Sequence, residues 1–332
     1  MYNRIENLNT SGTHGVISRI FFDNGTMIQK CINFNINILE ALKITIESYF
    51  VEYYPSKIPN YIKSYRIEQK FYENNDFIKG VFLPKIYEIE RSKLSKSFKI
   101  VMEDIPMYKK NRNLDTIKTI LKSMILFYIE YENKKIHHEI WSNGGHWTGN
   151  KKSNEKLDLE KKFHLTCANF EIYGYNEVLD KIIENRKNTQ KYYSKNKTLI
   201  HGDLKFENMF IDDQKVYLID WQWVGYGNPI TDIVYLIFTS LSSQYITIGN
   251  IKNLLIFYKN LNSNLIIEDI INDFKISFLD FLEYLICCKW SNLSVEQLEI
   301  NDMNKKDGLH IRKLDQILSI FNIALKLDEL IL

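Results

Sequence analysis

Hydrophobic and polar positions change their spacing near residue 105. Before it, apolar runs are short and broken by polar positions. "SRIFFDNGTMIQKCI" holds two such runs joined by Asn24-Gly25. Both residues of an Asn-Gly pair tolerate positive φ, so the stretch predicts a β-hairpin. "LPKIYEIE" and "SFKIVMEDI", with a polar link between them, predict two more strands, and residues 36–50 and 61–74 carry helical spacing. Pro106 follows the last of these strands and marks a hinge. From about residue 114 the period lengthens. "LDTIKTILKSMILFYIEYENKKIHHEIW" is helical in spacing for most of its length, as are residues 172–195 and the chain from Thr231 onward. "SNGGHWTGNKKSNEKLDLEKK" is poor in apolar residues and predicts an exposed loop. Two strand-like runs, "TLIHGD" and "KVYLIDW", interrupt the helical part. The pattern predicts an α+β fold of two lobes: a mainly β N-terminal lobe over 1–105 and a mainly α C-terminal lobe over 106–332, without internal repeats.

Length agrees with two lobes, since 332 residues exceed what one small core needs. Forty-three basic against 41 acidic side chains give a net charge of +2. That near balance offers no electrostatic reason to expect nucleic acid or a membrane surface as partner. Cys31, Cys167, Cys287 and Cys288 lack paired metal spacing, which excludes a zinc framework and points to a reducing compartment. The longest apolar runs, "IVYLIF" and "FLEYLICC", fall well short of the ~20 residues of a membrane span. The opening "MYNRIENLNTSG" has no apolar leader. These features together predict a cytoplasmic protein.

The chemistry concentrates in "LIHGDLKFENMF" and "VYLIDWQWVGYGNP". Asp203 and Asn208 stand five positions apart, and Asp220 ends a second apolar run. The three lie at strand ends rather than in a solvated charge run. Two carboxylates and an amide oxygen form a hard-oxygen site of the kind that suits Mg²⁺, with room left for phosphate oxygens. One acid on a substrate hydroxyl and an Asn–Asp pair on the metal is the division of labour of phosphoryl transfer.

"HGDLKFENMF" followed by "LIDWQWVGYGNPITDIVYL" resembles the aminoglycoside phosphotransferase and choline kinase superfamily, whose fold is protein-kinase-like. The "DWQ…G.P..D" arrangement is most similar to its ecdysteroid-kinase-like branch. The resemblance implies a small-molecule kinase that moves the γ-phosphoryl group of ATP or GTP to a hydroxyl acceptor. It implies Asp203 as catalytic base or orienting group, Asn208 and Asp220 as Mg²⁺ ligands, His201 as a brace beneath the loop and Asp232 as the loop's anchor. Gly202 is typical of the superfamily, where protein kinases carry Arg. Lys205, in "DLK", is within reach of the transferred phosphoryl group.

A nucleotide site of this fold also needs a strand lysine and a helical glutamate. In "TMIQKCI", alternation puts Ile28 and Lys30 on one face, an apolar surface for adenine beside a cation for phosphates. In "NYIKSYRIEQKFYEN", Tyr61, Tyr65, Glu68 and Tyr72 share one helical face, and a carboxylate within that aromatic stripe predicts a partner, Lys30. The "E..FY" run from Glu68 to Tyr72 is similar to the family's helix. By position, Gly12 and Gly15 in "TSGTHG" form the loop over the phosphates, and backbone groups around Glu103 and Ile105 hold the purine. His137 and Trp141 are read as packing residues of a supporting helix.

Two alternatives compete. A protein kinase is disfavoured because Trp221 and Gln222 follow Asp220 and no Ala-Pro-Glu element comes after. A catalytically inactive nucleotide-binding module is disfavoured by the complete set of Asp203, Asn208, Asp220 and Lys30. The acceptor is left open: Trp147, Trp223 and Trp290 are available for a cationic or flat molecule, but sequence does not gather them around one pocket.

Overall fold

A computed structural model of the chain describes residues 4–8, 15–23, 25–33, 60–75, 78–91, 97–106, 111–136, 139–148, 156–194, 198–212, 215–294, 296–298, 311 and 313–331. The expected hairpin is present. Strand β2, Gly15–Phe22, pairs with β3, Gly25–Asn33, in a register that closes at Phe22 and Gly25. An edge strand, β1 (Arg4–Leu8), adds to β2; its short, mostly polar sequence gave no strand signal. The runs after residue 83 become β4 (Ile86–Arg91) and β5 (Ser97–Glu103). The five strands form one antiparallel sheet in the order β1-β2-β3-β5-β4. Helix α1, Asn60–Asn74, buries Ile62, Ile67 and Phe71. The helix expected at 36–50 lies outside the described residues.

Helix α2, Leu114–Tyr131, starts where Asn113 accepts a 3.0 Å hydrogen bond from the Thr116 amide. Such a cap contributes about 1 kcal/mol. The helical part continues through α3 (Leu159–Asn169) and α4 (Asn176–Ser194). Two short antiparallel pairs follow: β6 (Thr198–Ile200) with β9 (Gly225–Gly227), and β7 (Met209–Asp212) with β8 (Lys215–Leu218). The remaining helices are α5 (Pro229–Ser240), α6 (Ile248–Asn260), α7 (Ile267–Leu285) and α8 (Leu314–Leu325). α5 is apolar nearly all round and lies in the core against α7, as such a helix must. Phe82 joins the two parts of the chain: its amide donates to Val216 O at 2.8 Å and its carbonyl accepts from the Leu218 amide at 3.0 Å.

Two expectations need correction. Helix α2 covers most of the segment read as helical, but Trp141, read as part of a supporting helix, lies instead in an isolated bridge to Gly225. The segment from 142 is also not an exposed loop at its start, because Trp147 and Thr148 are fully buried. Glycine is the reason. The Gly144 amide donates to Tyr226 O at 2.8 Å and the Gly145 amide to Trp223 O at 3.0 Å. A Cβ on Gly144 would come within 2.6 Å of the Ile200 side chain. A polar-looking stretch can thus lie flat against β6 and β9. Residues 149–155 lie outside the described set, and 159–162 open α3.

Candidate active site

Strand alternation turns Ile28 and Lys30 to one face, across from α1. Lys30 Nζ donates to both oxygens of Glu68, at 2.8 and 3.0 Å, and to Asp220 Oδ1 at 2.9 Å. Lys30 and Glu68 are buried, whereas the Asp220 side chain keeps 26% of its exposure. Tyr65 and Tyr72 are buried beside Glu68; the side chain of Tyr61 lies outside the described residues. Burial pulls the Lys30 ammonium down, but the charges of Asp220 and Glu68 outweigh it and its pKa ends raised. Burial pushes the Glu68 carboxyl up, with Lys30 opposing. Both substitutions to Ala are expected to weaken productive nucleotide binding. Lys30→Ala also strips the buried Glu68 carboxylate of its cation, which costs about 3–5 kcal/mol, whereas in Glu68→Ala Lys30 keeps Asp220 and the loss is smaller. Glu68→Gln keeps the shape and separates the two effects. Urea unfolding beside a nucleotide titration checks this, and wild-type turnover in Glu68→Ala would remove Glu68 from the site.

Asp220 adopts φ 65°, ψ 57°, a left-handed conformation that Asp tolerates better than most residues. The next residue explains how it is held there. Trp221 is fully buried, stacks on Phe71 of α1 at 4.2 Å and packs against His201 at 4.5 Å. One ring therefore ties together the helix of Glu68, the turn of Asp220 and the loop of Asp203.

That loop is suspended from α5. Asp232 accepts from the His201 and Gly202 amides, each at 2.8 Å, and from the Tyr128 hydroxyl at 3.1 Å. Burial raises its carboxyl to about 6. This matches the anchoring role expected for it. His201 accepts from the Asp203 amide at Nδ1 and donates from Nε2 to Ile219 O at 3.0 Å, which makes it the neutral brace the sequence implied. The Asn208 side-chain nitrogen donates to Asp203 O and Oδ2, both at 2.9 Å, leaving its oxygen for another partner. The Ile219 amide donates to Asn208 O at 3.0 Å, which sets Asn208 beside the residue preceding Asp220. Lys205 Nζ donates to Asp203 Oδ2 at 2.7 Å. Burial acts to raise the Asp203 carboxyl, but the charge and hydrogen bond of Lys205, with His146 and His201 acting the same way, together outweigh it and hold the group below the usual carboxylate range.

The remaining expectations divide. Gly12 and most of the loop over the phosphates lie outside the described residues; Gly15 begins β2 opposite Ile32. The Glu103 amide is spent on Lys85 O at 2.8 Å, so any backbone donor to a purine has to come from beyond it. Ile105 is buried. His137 lies outside the described residues, and Trp141 is buried in a stack on Trp223 at 5.3 Å. Three features were missed. Arg19 on β2 shares the Ile28 face and pairs with Asp104 at 2.6 Å, next to the hinge. His146 approaches Asp203, with Nδ1 3.6 Å from Oδ1. The buried acids of α7 are paired inside the protein: Asp280 with Lys156 at 2.5 Å, Glu283 with Arg186 at 2.6 Å and Asp273 with Asn228 at 2.7 Å.

Comparison with known proteins agrees with the resemblance read from residues 200–237. A model of the ecdysteroid kinase-like family matches residues 154–266. No curated protein matches the sequence. Several solved structures share the architecture over nearly the whole chain. The GDP and kanamycin complex of APH(2")-IIia aligns with TM-score 0.54 and 11% identity, over 99% of this chain and 94% of that one. Amicoumacin kinase hAmiN, crystallised with AMP-PNP, Ca²⁺ and Ami, aligns with TM-score 0.53 and 14% identity, over 95% and 89%. An apo, thermostable mutant of aminoglycoside phosphotransferase APH(4)-Ia aligns with TM-score 0.51 and 10% identity, over 97% and 94%. The fold is therefore the two-lobed, protein-kinase-like fold of small-molecule phosphotransferases. Among the described residues no helix is long and apolar enough to cross a membrane, and the four cysteines form no disulfide.

Proposed function

We propose that this protein is a small-molecule kinase, transferring the γ-phosphoryl group of ATP or GTP to a hydroxyl of a small acceptor. The observation that carries the reading is one constellation: Lys30 joined to Glu68 and Asp220, with Asp203 and Asn208 hydrogen-bonded beside it. Residues 1–105 form its nucleotide-binding lobe and 106–332 its catalytic and acceptor-binding lobe. Ile28 supplies apolar surface for the base, Gly12 and Gly15 belong to the loop over the phosphates, and Glu103 and Ile105 flank the purine at the hinge. Two relatives in fold were crystallised with AMP-PNP or GDP, which supports a nucleotide co-substrate.

The residues present fit a magnesium ion. The oxygen of Asn208 and the carboxylate of Asp220 are hard donors carrying one negative charge, and the outer coordination is left to phosphate oxygens and water. When bound, the ion would neutralise charge on those phosphate oxygens. In the transfer, an acceptor hydroxyl forms a bond to the γ-phosphorus while the bond to the β–γ bridging oxygen breaks, and nucleoside diphosphate leaves. The hydroxyl proton passes to Asp203 late, once the oxygen has become acidic. A carboxylate held ionised by Lys205 is a weak base, so Asp203 serves chiefly to aim the hydroxyl. Lys205, at its side, is in reach of the transferred group.

Melting of the purified protein tests the reading. Millimolar Mg²⁺ with ATP or GTP is expected to raise the melting temperature more than nucleotide alone, because a ligand bound only to the folded state stabilises it. No shift with either nucleotide would count against a kinase and leave a fold without its activity.

A further inference from the structure

We infer that His146 is a positioning residue for Asp203, closing a hydrogen bond from its Nδ1–H onto Asp203 Oδ1 and fixing the carboxylate on the side away from Lys205 and Asn208. The inference rests on the kinase reading above and deepens it. Asp203 Oδ2 already accepts from Lys205 and Asn208. Oδ1 is buried and makes no hydrogen bond, and His146 Nδ1 is likewise buried without a partner. The two orphans face each other at 3.6 Å. A buried polar atom left unpaired is costly, so two that are complementary and adjacent point to a bond made in another state of the site. Hydrogen bonds of catalytic groups are often long before substrate binds and shorten in the productive complex.

The ring is held on every other side. Its Nε2 is 3.1 Å from the Tyr284 hydroxyl, and with that hydroxyl donating, the imidazole proton sits on Nδ1, facing Asp203. It meets Tyr235 and Tyr284 edge-on at 5.2 and 5.3 Å, and Trp223 lies 5.9 Å away. The His146 amide donates to Gly202 O at 3.3 Å, tying its backbone to the residue before Asp203. The Tyr235 phenol faces the same carboxylate as a further donor beside His146. Burial pushes the imidazole down to about 3; Asp203 and the nearby Gly202 carbonyl oppose this, while Lys205 and Lys289 add to it, so the ring is neutral at ordinary pH. A neutral Nδ1–H orients the carboxylate without removing its charge.

Three substitutions separate positioning from packing. Phe keeps the ring and removes both nitrogens, Asn keeps a donor near the Nδ1 position, and Gln moves it toward Nε2. The probe is slow hydrolysis of MgATP with water as acceptor. H146F is expected to lower kcat roughly 10- to 100-fold, the scale of a small misplacement of a catalytic group, with KM for MgATP unchanged. H146N should recover more of the rate than H146Q. On an Asp203→Asn background, H146F should add no further loss, because both act through one interaction. Wild-type kcat in H146F, equal loss in H146N and H146Q, or additive losses would overturn the inference. If H146F does not fold, ¹⁵N spectra of the wild-type imidazole still decide. A proton on Nδ1, with a signal that moves in Asp203→Asn, supports the inference, and a proton on Nε2 overturns it. These spectra need no nucleotide. Wild-type protein that neither binds nor hydrolyses MgATP or MgGTP would instead sink the kinase reading.

Discussion

Replacing Asp203 by Asn is expected to leave nucleotide affinity within a few-fold of wild type and to lower turnover by about 10²–10⁴-fold, the range of a positioned acid–base group. Asp220→Ala is expected to lose both Mg²⁺-dependent affinity and turnover. The geometry underlies the difference. Asp220 contacts Lys30, and through it Glu68, so on the proposed reading its carboxylate belongs to the group of charges that would meet bound nucleotide in the ground state. Asp203 is bound to Lys205 and Asn208 and lies beside His146, and on the proposed reading it would act on the hydroxyl mainly in the transition state. Its Asn replacement keeps the size of the side chain and can still accept at the Lys205 side. Nucleotide titration at fixed Mg²⁺, followed by turnover, measures both properties. Abolished nucleotide binding in Asp203→Asn with preserved binding in Asp220→Ala would exchange the two roles.

Much of this site was legible because its signals are local. A spacing of five between Asp203 and Asn208, an acid ending an apolar run at Asp220, and the period-2 face of Ile28 and Lys30 all lie within single elements. Glu68 was found because a carboxylate within an aromatic helical stripe asks for a cation, and Lys30 meets it at 2.8 Å. The rest depends on contacts that no local pattern encodes. His146 reaches Asp203 because Gly144 and Gly145 allow close backbone approach, yet the same glycines made the stretch read as an exposed loop. The Arg19–Asp104 pair joins a strand to the hinge by an ion pair between residues with no sequence relation. Purine recognition by backbone groups leaves no side-chain signature at all. The helical spacing after Thr231 says nothing of where the α7 acids Asp273, Asp280 and Glu283 find partners, and the structure pairs them with Asn228, Lys156 and Arg186.

Gly202→Ala is expected to be among the most damaging single-methyl changes in the protein. Gly202 has φ +80°, a left-handed conformation that costs an L residue roughly 1–2 kcal/mol. A Cβ there would stand 2.2 Å from Trp223 O and 2.4 Å from Gly145 N. Both are backbone atoms and cannot rotate aside, and forced overpacking adds about 1–3 kcal/mol. Together these predict a loss of about 2–5 kcal/mol, read as a lower urea midpoint. Turnover should fall further than stability explains. The Gly202 amide donates to Asp232 and its carbonyl accepts from His146, so displacing it moves the loop that carries Asp203. The same crowding explains why this position cannot hold the arginine of protein kinases. Gly249 in α6 is the control. It has no atom within 4 Å of an added Cβ and no positive φ, so Gly249→Ala should be neutral or stabilise by up to about 1 kcal/mol. Unfolding of the two variants side by side checks the argument. A Gly202→Ala protein as stable and as active as Gly249→Ala would show that the loop yields where the backbone contacts say it cannot.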